Sequence, residues 1–136
     1  MASILKVDEM QGVTSAGDIT ITSEGGSATQ SLQQGLTKAW VNFDGNSSGV
    51  QIDDSFNVAS TTDNGTGNYS FAFSNAMSNG LYCVSGVGGA GTGSSVMALS
   101  IFSGTDLSTT SVPVLTKVAS PTDTDPVCVN VNGDLA

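Results

Sequence analysis

The chain contains no arginine and no histidine, and its three lysines face twelve carboxylates, for a net charge of −9 over 136 residues. A protein that cannot neutralise a run of phosphates does not bind nucleic acid, and an anionic membrane surface repels it on the same ground. Without histidine there is no Ser-His-Asp or Cys-His nucleophile system, no imidazole-ligated zinc and no HExxH helix. Charged residues are also scarce, at 11%, against about 25% in an ordinary soluble domain. Apolar runs are short throughout, so no segment reads as a membrane-spanning helix. Lys6 is followed by Asp8 and Glu9, not by an apolar stretch. No secretory leader is expected, and the product is expected to be made in the cytoplasm.

What is present is glycine, serine, threonine and asparagine, with Val, Ile and Phe spaced regularly among them. That supply of β-branched and aromatic residues separates the chain from disordered sequences of similarly low charge. Its length suits one domain with an arm. The division falls near residue 38, because every aromatic lies between Trp40 and Phe102, and a core needs such side chains. Residues 1–37 therefore read as an N-terminal arm. Ile4-Leu5-Lys6-Val7 and Ile19-Thr20-Ile21 are expected to form short strands around a turn at 14–18. A polar connector over 27–35 follows, with a helical turn at 29–32. Elements this short need a partner surface. Ile4, Leu5, Val7, Ile19, Ile21, Leu32 and Leu36 are the candidate anchoring and oligomer contacts.

From Lys38 onward the hydrophobic period is 2. Apolar residues alternate at Val50, Ile52, Phe56 and Val58, at Tyr69, Phe71 and Phe73, at Met97, Leu99 and Ile101, at Val112, Val114, Thr116 and Val118, and at Val127, Val129 and Val131. Turn signals separate these runs: Asp44-Gly45, Asn64-Gly65, Asn79-Gly80, Ser103-Gly104, Pro121 and Asn132-Gly133. Residues 38–136 are expected to form an all-β, antiparallel, jelly-roll-like sandwich of about seven strands carrying the extended arm. Asp53 and Asp54 interrupt one strand pattern. An edge strand protected by charge or a bulge accounts for them better than a calcium loop.

Chemistry-bearing motifs are weak. Cys83 and Cys128 lie in apolar runs and read as buried thiols, with a disulfide between neighbouring strands as the alternative. Gly86-Val-Gly88-Gly-Ala-Gly91 matches G-x-G-x-x-G, but a β-period run follows where a dinucleotide site needs a helix, so it reads as a loop. Residues 63–68, centred on Asn64-Gly65, read as a hairpin turn and not as an EF-hand loop. Asp123-Thr-Asp125 reads as a solvated loop. Twelve carboxylates could serve glycoside hydrolysis, yet no pair has a cleft or role, and Ser, Thr and Cys lack an activating base. No catalytic, metal-binding or cofactor-binding residue is assigned, and no cofactor is expected.

The segments Lys38-Ala-Trp-Val-Asn-Phe-Asp-Gly45, Ile52-Asp-Asp-Ser-Phe-Asn-Val58 and 62–73, ending at Ala76-Met77, follow one another in an order that resembles a module of tailed-bacteriophage virion structural and tail-fibre-like proteins, many of them marine. Ile4-Leu-Lys-Val-Asp8 resembles the opening of such proteins. The likeness covers residues 38–82 and, more loosely, the arm. Residues 86–93 and the last strand with Cys128 depart from the family pattern. The resemblance implies a non-enzymatic virion component that decorates the capsid or forms a short head or tail fibre. Its expected partners are other copies of itself, in a homotrimer, and the major capsid or tail proteins. The competing expectation is a carbohydrate-binding adhesin module that meets a host surface glycan through Trp40 or Tyr82. Of the two, Trp40 is expected in the core because it lies in an apolar strand.

Overall fold

The computed structural model describes residues 4–15, 19–47, 49–89, 98–101, 107–117 and 120–136. The backbone separates into two units, Met1–Leu36 and Thr37–Ala136. In the first, β1 (Thr20–Thr22) pairs antiparallel with β2 (Thr29–Ser31), Thr20 standing opposite Ser31. Ser23 organises the turn between them. Its amide donates to the Ala28 carbonyl at 2.8 Å, and its hydroxyl accepts from the Ala28 amide at 3.2 Å. One helical turn, α1 (Leu32–Gly35), follows, N-capped by the Ser31 hydroxyl, which accepts from the Gln34 amide.

Two expectations for this unit are corrected. Ile4–Val7 forms no strand, since no described segment pairs with it. The helical turn starts at Leu32 and not at Thr29, because Thr29–Ser31 is committed to pairing with β1. The predicted turn at 14–18 lies partly outside the described residues. No described residue of this unit is buried, so the hairpin has no core of its own.

In the second unit the alternation becomes two layers. The strands are β3 (Ala39–Asp44), β4 (Gln51–Phe56), β5 (Val58–Asp63), β6 (Asn68–Phe73), β7 (Cys83–Gly88), β8 (Ala98–Ser100), β9 (Ser111–Lys117) and β10 (Val127–Asn132). They form two antiparallel sheets ordered β4-β3-β10-β7 and β5-β6-β9-β8. This is the all-β sandwich that the period-2 pattern predicts. Alternate residues point inward: Val41 and Phe43 from β3, Val127, Val129 and Val131 from β10, Tyr69, Phe71 and Phe73 from β6, Val112 and Val114 from β9. The Phe43 and Tyr69 rings meet edge to face between the sheets, with centroids 5.1 Å apart. Predicted strand positions Met97 and Val118 lie outside the described residues, as does the turn at Ser103-Gly104.

Eight strands are described where the spacing predicts about seven, because the run from Val50 to Val58 supplies two strands in different sheets. Asn57 turns the corner between β4 and β5 at φ 56°, a left-handed conformation that asparagine tolerates better than most residues. Its amide nitrogen donates to the carbonyls of Lys38 (3.0 Å) and Asn75 (3.1 Å), and its oxygen accepts from the Asn75 backbone amide at 2.7 Å. The interruption at Asp53 is a bulge: Asn42 pairs with Asp54 and Phe43 with Ile52, leaving Asp53 as the extra residue on an edge strand. Both acids are exposed, where they deter pairing with another strand.

One end of the sandwich is tied by Tyr69. Its hydroxyl lies 3.0 Å from the Gly45 carbonyl and 2.9 Å from an Asp123 carboxylate oxygen, with one proton to share between them. The same Asp123 oxygen accepts from the Gly67 amide at 2.6 Å. Gly67 sits at φ 64°, and a Cβ there would collide with the backbone of Thr116 and Thr122. Asp123 stays exposed in a loop, as expected, and is a structural anchor besides, because the Tyr69 hydroxyl and the Gly67 amide both take its carboxylate as acceptor.

Both tyrosines of the chain are buried, which makes them a test of the packing. Burial pushes the Tyr82 phenol up to about 12 from an ordinary 10.0. Burial, followed by the hydrogen bond to Asp123, raises Tyr69 as well. Below pH 10 both states keep the phenolic protons. Between 10 and about 12 the unfolded chain sheds them while the fold retains them, so stability falls as pH rises through that window. Phenolate absorbance should be absent from the native protein at pH 10 and half-developed in denaturant at the same pH. Native ionisation at pH 10 would contradict the burial.

Candidate functional site

The inward residues of β3 fix its outward ones. With Val41 and Phe43 buried, Trp40 and Asn42 stand on the outer face of the β4-β3-β10-β7 sheet. Strand pairing then aligns side chains in rows across that face. Phe56, Trp40, Asn130 and Ser85 form one row, and Asp54, Asn42, Cys128 and Val87 form the next. Beside Trp40 stand the smaller Asn130, Cys128 and Ser85, and the face holds an open hollow of about 570 Å³ lined by these residues with Asn42 and Val87. That volume lies within the roughly 300–1,000 Å³ of small-ligand sites.

The face carries both apolar and amide groups. Trp40 is 36% exposed, and Phe56, its partner across the β3–β4 pair, is 53% exposed. Asn130 donates from Nδ2 to Asn132 Oδ1 at 3.1 Å, and Asn42 Oδ1 accepts from the Cys128 thiol at 3.5 Å. These contacts hold the two amides in place. Asp44 borders the face. Its carboxyl lies below the usual carboxylate range, first through the Ser47 hydroxyl and then through the Asn46 backbone amide. Among the described residues no group of three or more Cys, Asp or Glu side chains is placed to hold a metal ion.

Several expectations are corrected here. Trp40 is not in the core, because parity with Phe43 turns it outward. Tyr82, the other sugar-binding candidate, is buried, and its hydroxyl donates to the Ser108 carbonyl at 2.8 Å. Cys83 is exposed and Cys128 half-buried, both as free thiols on the outer face. Their strands are neighbours, but Cys128 pairs with Val87 and Cys83 with Asn132. That four-residue offset is about 13 Å along a strand, too far for a disulfide. Gly86 and Gly88 belong to β7 and not to a loop. At Gly86 a Cβ would strike the Cys128 carbonyl, so glycine lets β7 approach β10. Ala90 and Gly91 of that motif lie outside the described residues.

The candidate anchoring residues fall into two groups. Ile4, Leu5 and Val7 are exposed on chain without secondary structure, Ile4 at 80%. The hairpin brings Ile19 and Leu32 together, the Leu32 amide donating to the Ile19 carbonyl at 2.8 Å, while Ile21 pairs with Gln30. Ile21 also lines a small hollow of about 180 Å³ with Ser23, Ala28, Thr29 and Gln30. Ile19 and Leu32 are half-buried, whereas Ile21 and Leu36 are exposed. Sequence reasoning missed Asn42, Phe56, Ser85, Val87 and Asn130 as a group. The signal was the same alternation that identified the core, applied to the opposite parity.

No protein-family model, curated protein or solved structure matches the chain.

The parity assignment yields a paired test. Phe43→Ala removes a fully buried ring and should cost about 3–5 kcal/mol, whereas Trp40→Ala should cost less than about 1.5 kcal/mol. Denaturant melts of the two variants measure the difference. Equal losses would place Trp40 in the core after all.

Proposed function

We propose that this protein is a non-enzymatic structural component of a tailed-phage virion, a sandwich that decorates the capsid or forms a short head or tail fibre. One observation carries the reading. The sandwich buries a core of its own between Ala39 and Val131, while the preceding unit exposes Ile4, Leu5, Val7, Met10 and Val13 and buries none of its described residues. An exposed apolar segment without a core of its own is the kind of surface that assembly would cover. Copies of the chain, as a homotrimer, and the capsid or tail proteins are the surfaces that would cover it. The resemblance of residues 38–82 to virion modules supports the same role.

A second reading, a carbohydrate-binding adhesin module, is favoured by the exposure of Trp40 on a hollow sheet face.

Native mass measurement of the full chain should give a trimer, and a chain beginning at Thr37 should remain folded but become monomeric. Purified particles should contain many copies of the protein. A full-length monomer at all concentrations, or its absence from the particle, would overturn the virion reading.

A further inference from the structure

The hollow on the outer face has a chemistry that selects its occupant. Trp40 exposes about a third of its surface on this face (36%), and Phe56 stands exposed opposite it on β4. One strand away on β10, in the same row as Trp40, lies Asn130; one row along β3 lies Asn42. Strand spacing is about 4.8 Å and a two-residue step about 6.7 Å, so both amides occupy positions adjacent to Trp40 on the same face. An amide both donates and accepts, as a hydroxyl does. Asn130 uses Nδ2 toward Asn132, and Asn42 uses Oδ1 toward Cys128. Among the described residues no other partner engages Asn130 Oδ1 or Asn42 Nδ2, which gives the hollow one acceptor and one donor. A pyranose matches this pattern: its C–H face lies flat on an aromatic ring while hydroxyls at the rim exchange hydrogen bonds with fixed amides.

Charge narrows the class further. No lysine belongs to either row, and Asp54 closes the second row beside Asn42. In a chain of net charge −9 that arrangement repels sialic acids, uronic acids and phosphate-bearing sugars. It also opposes stacking of the face on a second copy, which would bring two Asp54 carboxylates and two acidic sandwiches together.

We propose that the outer face of the β4-β3-β10-β7 sheet binds a neutral glycan, with one sugar ring stacked on Trp40 and its hydroxyls held by Asn42 and Asn130. This site rests on the adhesin reading and names its ligand class and contacts; it does not depend on the virion reading. The affinity expected of a shallow, open site is on the order of millimolar.

The chain has one tryptophan, so its fluorescence reports the site directly. The experiment uses the full chain on an array of neutral and acidic glycans. Fluorescence titrations follow with the strongest neutral hit and with sialyllactose. Expected are saturable fluorescence changes with the neutral glycan and none with sialyllactose. Trp40→Ala should weaken array binding at least roughly tenfold, and Asn130→Ala roughly three- to tenfold. Both variants should keep the native tyrosine titration. Neutral binding unaffected by either variant, or a preference for acidic glycans, would overturn this site while leaving an adhesin role elsewhere on the surface. No glycan bound at roughly 10 mM would overturn both. A Trp40 signal that changes with protein concentration alone would replace the glycan by a second copy.

Discussion

The edge-to-face meeting of Phe43 with Tyr69 is the interaction on which the rest of the sandwich depends. Each ring comes from a different sheet, so their contact joins the layers and fixes the register of both strands at once. A slip of one residue in β3 would bury Trp40 and Asn42 and expose Phe43, reversing core and surface together. Tyr69 also reaches past the core to the end loops, where its hydroxyl meets Gly45 and Asp123. Asp123 in turn holds the Gly67 amide, and the Thr116 hydroxyl closes the same region by donating to the Thr122 carbonyl at 2.7 Å. A side chain that packs at one end and hydrogen-bonds at the other converts the position of one strand into the position of three loops.

The same contact explains what the sequence discloses and what it hides. Alternation is a local signal, so the layers, the strand positions and most of the core were legible from Val, Phe and Tyr spacing. Sidedness was legible in principle, yet a tryptophan between alanine and valine reads as buried when hydrophobicity is weighed without parity. Cys83 and Cys128 mislead for the same reason: their neighbours Val84, Val127 and Val129 turn inward and leave the thiols outside. The split at Asn57 was hidden because a polar residue in a strand pattern does not say whether the chain bulges or changes sheet. At Asp53 the pattern records a bulge, and at Asn57 a corner. Long-range partners are the part no local pattern contains, and Asp123, fifty-four residues from Tyr69, is the clearest case.

Twelve carboxylates with only three lysines pose a problem of compensation that the fold meets with backbone amides. Asp44 accepts from Asn46, Asp54 from Ser55, Asp63 from Gly65 and Asp123 from Gly67. Each lies at a turn, a strand end or an edge, where N–H groups are not consumed by strand pairing. The abundance of Asn, Gly and Ser beside the acids follows from that role. Such a surface presents scattered negative charge with its counter-dipoles built in, and neither row named across the outer sheet face contains a lysine.

The two proposed roles fit one another through affinity. An open hollow with one aromatic ring and two amides would hold a sugar only weakly, because most of the ligand would stay in water. Weak binding serves an adhesive purpose only when several sites act together. Copies gathered through the N-terminal unit would supply them, since linked sites raise apparent affinity by roughly 10²–10⁴ without any new contact. On that reading the apolar residues that need covering and the shallow face that needs neighbours answer the same requirement. Assembly would stabilise one part of the chain and make the weakness of the other useful.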